Sequence, residues 1–141
     1  MSIYAIVSSN SSLQYFPQNK AYHFQCHLNT PLNLEGIWKV ALLEASVSTS
    51  KSLKTRKSIC VYSNICGESI VNGDREPILR KLQANSLSNW DIIFETGQYM
   101  PVKTNNITDI DIYITTEEGL LASFLDQTSS FTLHFKAFPF V

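Results

Sequence analysis

The chain has 141 residues, 44% of them hydrophobic and 16% charged, with 11 Lys and Arg against 12 Asp and Glu for a net charge of -1. That length suits one compact domain spanning 1–141, which buries roughly two-thirds of the surface its unfolded chain exposes. The balanced charge excludes a long-range field that would gather nucleic acid or an anionic membrane, and a charged share below the usual ~25% points to a surface partly covered by protein partners.

Alternation with period two dominates, broken at short intervals by Gly, Pro, Asn and Ser. Ile3-Tyr4-Ala5-Ile6-Val7 is a short β-prone run, and the proline of Tyr15-Phe16-Pro17-Gln18-Asn19 suits an edge or a turn. In Tyr22–Leu28, Tyr22, Phe24, Cys26 and Leu28 share one face and His23, Gln25 and His27 the other, the mark of a half-buried strand. Asn29 to Gly36 reads as a connection, and Ile37 to Ser46 is apolar at nearly every position, as for a strand covered on both faces. Ser48 to Lys57 is a polar, basic loop; Ile59-Cys60-Val61-Tyr62 returns to strand; the stretch holding Gly67 and Gly73 predicts turns or one short helix. Extended pieces are expected at Pro77–Leu82, Trp90–Glu95 and Tyr99–Val102, with a turn at Thr96-Gly97 between the last two. Near the end Ile110, Ile112 and Ile114 point one way and Asp109, Asp111 and Tyr113 the other, Glu118-Gly119 makes a turn, and Phe131, Leu133 and Phe135 mark a last strand.

About eight short antiparallel strands must pack as two sheets, because a single sheet would leave a whole apolar face in water. The predicted fold is all-β: one jelly roll, an antiparallel two-sheet sandwich. Cys26, Cys60 and Cys66 are an odd count without a CxxC pair and read as reduced thiols. No apolar run approaches the roughly 20 residues of a membrane span, and Met1–Asn10 lacks the form of a signal peptide, so the chain is expected to be made and folded inside the cell.

Phe16-Pro17-Gln18-Asn19, then a strand, then Pro31-Leu32-Asn33-Leu34-Glu35-Gly36-Ile37-Trp38-Lys39-Val40-Ala41-Leu42-Leu43-Glu44 resembles the opening of penton-type minor capsid proteins of Polintons (Mavericks), adintoviruses and virophage-like elements. Three later stretches look like the same family: Val61–Ile65 with Val71-Asn72-Gly73-Asp74 and Pro77–Arg80; Ile110–Ile114 with Glu118-Gly119; and Thr132–Lys136. The resemblance implies a single jelly roll, five copies of which close the fivefold vertices of an icosahedral shell. It also implies a location in the virion and a double-jelly-roll major capsid protein as partner. The chain has no insertion between strands like the outer domain of some members, and its basic loop and Phe-Pro-Phe end match nothing in the family.

Residue chemistry supplies the candidate sites. Arg80, Gly97 and Glu118 lie in or beside loops where lateral subunit faces are expected, and an arginine at a subunit boundary can grip a neighbour's carboxylate in bidentate fashion. Phe138 and Phe140 put apolar bulk on a tail that must dock on its own domain or on a neighbour. Lys51, Lys54, Arg56 and Lys57 could contact phosphate or nucleic acid on the inside of a shell, but without interleaved aromatic residues a solvated loop is the plainer account. Trp38, at a strand start after Gly36, is expected in the core with its indole N–H satisfied. His23 and His27 lie on one face about 13 Å apart, too far to share a metal ion, and Asp109 and Asp111 read as a solvated face. No cofactor or catalytic motif is found, so no enzyme is expected, and a metalloenzyme of the cupin type is poorly served by three histidines. The rival reading with the same architecture is a lectin-like or cytokine-like trimer that binds a sugar or a receptor.

Overall fold

The computed structural model describes residues 2–138, and among them it has eleven β-strands and no helix. They are β1 (Ser2–Ser8), β2 (His23–Asn33), β3 (Ile37–Ser48), β4 (Ile59–Ser63), β5 (Ser69–Val71), β6 (Asp74–Glu76), β7 (Ile78–Leu82), β8 (Asn89–Ile93), β9 (Met100–Pro101), β10 (Asn106–Thr116) and β11 (Ser130–Phe138). One sheet runs β1-β11-β3-β8, with the short β9 also on β3; the second runs β2-β10-β4-β7. Setting aside β9 and the separate β5-β6 hairpin leaves eight strands in two antiparallel sheets; successive strands switch sheets except β4 and β7, which pair in the smaller one, with first beside last and second beside second-to-last. That is the jelly roll.

Alternation places the core. Val7 of β1, Phe131, Leu133 and Phe135 of β11, Val40, Leu42 and Val47 of β3 and Trp90 of β8 face Phe24 of β2, Ile110, Ile112 and Ile114 of β10 and Ile59 and Val61 of β4 across the sandwich. Phe24 stacks on Phe131 between the sheets, ring centroids 6.1 Å apart. Two buried indoles are satisfied by main-chain carbonyls: Trp38 donates to Glu35 O at 2.8 Å and Trp90 to Lys57 O at 2.7 Å. Cys26, Cys60 and Cys66 are all buried and free, and burial pushes the Cys66 thiol up to about 11.

Three local expectations change. Strand β2 runs through Pro31 to Asn33, so most of the stretch expected as a connection is strand, paired through Leu32 and Asn33 with Ile107 and Asn106. The stretch around Gly73 holds a turn, as expected, but one that closes a two-strand hairpin rather than a helix: Asn72 and Gly73 adopt φ of 50° and 88°, both in the left-handed region that a two-residue type I′ turn demands. The continuous apolar run of β3 is covered on both faces only in part. Its register with β11 shifts between Leu42 and Glu44, so a bulge inserts Leu43, and on the outer face Ala41 is buried while Ile37 is 64% exposed.

Candidate functional site

Arg80 and Gly97 meet at one open edge of the sandwich. Arg80 lies opposite Val61 in the β4-β7 ladder and reaches across to the strand end of the other sheet, where its guanidinium sits 3.7 Å over the Phe94 ring and donates to Thr96 O at 2.7 Å. It latches the two sheets together where no ladder joins them. Gly97, in the following loop, packs so tightly that a Cβ would lie 2.8 Å from the Tyr99 ring and 3.2 Å from Leu43. Only glycine allows that approach, and it sets Tyr99 over the outer face of the larger sheet.

There Tyr99 begins a polar and aromatic cluster. Its hydroxyl pairs with His134 Nδ1 at 2.7 Å, and Tyr4 stacks on the same imidazole at 4.4 Å. Lys136 lies 5.5 Å over the Tyr99 ring and 6.0 Å from Phe138, while Lys39 stands 4.6 Å over Phe138. Burial, then the Lys136 charge, pushes the His134 imidazole below its ordinary value. Phe138 closes β11 opposite Ile37 on this face; Phe140 lies outside the described residues. Around the cluster Tyr4, Ile6, Ile37 and Ile93 are 63–76% exposed.

Glu118 is elsewhere, in the turn after β10, close enough to Lys57 for that charge to help hold its carboxyl low after its hydrogen bond with Thr116. Lys51, Lys54, Arg56 and Lys57 are all exposed, but acids interleave with them. Asp126 accepts from Ser50 N at 2.7 Å, Glu117 pairs with Lys81 at 2.7 Å, and a cavity of about 230 Å³ is lined by Arg56, Lys57, Glu117 and Glu118 together. The basic charge is thus offset locally rather than presented as one field.

Residue-by-residue reading missed the outer face of the smaller sheet. His27 Nδ1 lies 3.0 Å from Asp109 and His23 Nε2 3.4 Å from Asp111, Tyr15 rests on His27 at 4.1 Å, and Tyr62 stacks on Tyr113 at 4.7 Å. Burial raises the Asp111 carboxyl and His23 opposes the rise. Each histidine faces its own carboxylate, and among the described residues no three such groups converge as metal ligands. The signal was the shared alternation of the two segments; only the β2-β10 pairing was missing. No helix among the described residues is long and apolar enough to cross a membrane. Comparison with protein-family models gave no match, and no curated protein matched the chain.

Proposed function

We propose that this chain is a structural shell protein, a penton-type minor capsid subunit that closes a fivefold vertex by packing against copies of itself and against a major capsid protein. The observation that carries the reading is the jelly roll itself, joined to a surface poor in charge on which Tyr4, Ile6, Ile37, Ile70, Ile93 and Leu120 are each more than 60% exposed. Four of them, Tyr4, Ile6, Ile37 and Ile93, share the outer face of the larger sheet, and apolar exposure gathered on one face favours a protein partner there. The order of motifs that resembles penton proteins supplies the ring. In such a ring two unlike faces of each wedge meet, so copy number is set by the angle between them. The end holding Glu118 and the side holding Gly97 and Phe138 are the faces assigned to those contacts. Arg80 supports the second indirectly, by holding Phe94 and Thr96 in place.

Co-expression with a double-jelly-roll major capsid protein, followed by electron microscopy, tests this. Shells with density for this chain at their vertices are expected, and a Glu118→Lys variant truncated before Phe138 should leave those vertices open while remaining folded. Vertices filled as before would refute the assignment of faces, and wild-type shells that never incorporate the chain would refute the function.

A further inference from the structure

A sandwich has four outermost strands, here β1 and β8 of the larger sheet and β2 and β7 of the smaller. Each offers unpaired main-chain groups to any strand that arrives, and three of the four are guarded. On β2 the odd-numbered residues face away from β10. His23 exchanges main-chain bonds with Lys20, the Asn19 amide both donates to Gln25 O (2.8 Å) and accepts from Gln25 N (2.9 Å), and Ser12 Oγ accepts from His27 N at 2.9 Å. On β8, Asn85 donates its main-chain N–H to Asn89 O at 3.0 Å and accepts from Asp91 N through its side chain. Strand β7 has Pro77 at its entrance and Arg80 and Lys81 within five residues, which discourage strand addition.

Among the described residues, strand β1 has no such guard. Ser9 N donates to Ser129 O at 3.0 Å in register with the β1-β11 ladder, so odd-numbered residues spend their main-chain groups on β11. Tyr4 and Ile6 therefore turn N–H and C=O outward, and among the described residues only the Ser8 carbonyl is taken, by Ser11. The strand reads Ser-Ile-Tyr-Ala-Ile-Val-Ser, without charge or proline.

We propose that the free edge of β1 pairs antiparallel with β1 of a second copy of this chain, joining the two larger sheets into one across a twofold axis at Ala5. The sequence is complementary to itself in that register. Tyr4 meets Ile6 of the second copy, and Ile6 meets its Tyr4, an aromatic and β-branched pair on the exposed face that also aligns the outward main-chain groups for about four hydrogen bonds. No charge meets a like charge. One open edge per copy cannot close a ring, which needs two unlike edges, so this contact is separate from the lateral faces proposed above and does not rest on them.

Amide exchange by NMR on the full chain, from micromolar to near-millimolar concentration and with mass measured in parallel, tests the pairing. The Tyr4 and Ile6 amides should slow by at least about tenfold as a dimer forms, while the Ala5 and Val7 amides, bonded to β11, stay protected throughout. Ile6→Lys sets like charges diagonally across the axis; it should abolish the dimer and leave the Ala5 and Val7 protection intact. The proposal is overturned if the Tyr4 and Ile6 amides exchange equally fast at every concentration, or if the Ile6→Lys dimer persists. A pentamer with fast Tyr4 and Ile6 amides overturns it too, while favouring the ring.

Discussion

His134 is a histidine held neutral by its surroundings. Tyr4 covers it, Tyr99 occupies Nδ1, Lys136 stands nearby, and its buried Nε2 has no hydrogen-bond partner among the described residues, so protonation inside the fold is disfavoured. A histidine whose folded pKa is depressed binds fewer protons in the native state than in the unfolded chain near pH 6. Its stabilising effect is therefore complete above about 6.5, the ordinary histidine value, and is lost as pH falls from there through the folded value. Urea midpoints at pH 7 and pH 5 should show a smaller acid-induced drop for His134→Gln, which keeps a partner for Tyr99 without titrating, than for the wild type. An equal drop would mean that the imidazole ionises as freely in the fold as outside it. His23 and His27 are common to both proteins and cancel in the comparison.

At the scale of elements, the β5-β6 hairpin is the most separable piece. It carries its own two-strand ladder, and its tip is held to the rest by Asn72, whose side chain donates to Glu117 O at 3.0 Å. Gly73→Ala forces a side chain into a φ of 88°, and about 1 kcal/mol of local stability should go with it. Exchange at the Val71 and Asp74 amides, the pair that bonds across the turn, should quicken while the global unfolding midpoint stays nearly unchanged; a global loss of the same size would show that the hairpin folds with the sandwich. This element was only half legible. Asn72-Gly73 is the turn signal, but each arm has three residues and Asp74-Arg75-Glu76 is wholly charged, so no alternation announced strands. The long strands were legible because Phe24 and Cys26, Ile110 to Ile114 and Phe131 to Phe135 alternate over enough residues to fix their buried faces. Pairing partners were not, since β2 and β10 meet across some eighty residues of sequence. For the same reason Arg80 and Gly97 could be nominated singly but not seen to meet through Phe94, Thr96 and Tyr99, and Glu118 could not be set apart from them.

For the whole molecule, the proposed function rests on how the sandwich presents its faces. The two sheets share one core, Arg80 closes an open side, and the apolar residues left outside are spread over the outer face of the larger sheet, the hairpin and the turn after β10. On the proposed reading those faces act through their geometry, so changes there should alter assembly while leaving the core intact. The fold class was readable from composition and alternation because both report burial; the assembly is not, because the angle between two faces is a property of the whole. The most direct test is the mass of the purified chain in solution, by native mass spectrometry or light scattering, alone and mixed with a double-jelly-roll major capsid protein. Five copies associated in the mixture, whether or not they are already associated alone, is the predicted result; a stable trimer that ignores the shell protein would contradict it and point to a trimeric binding module.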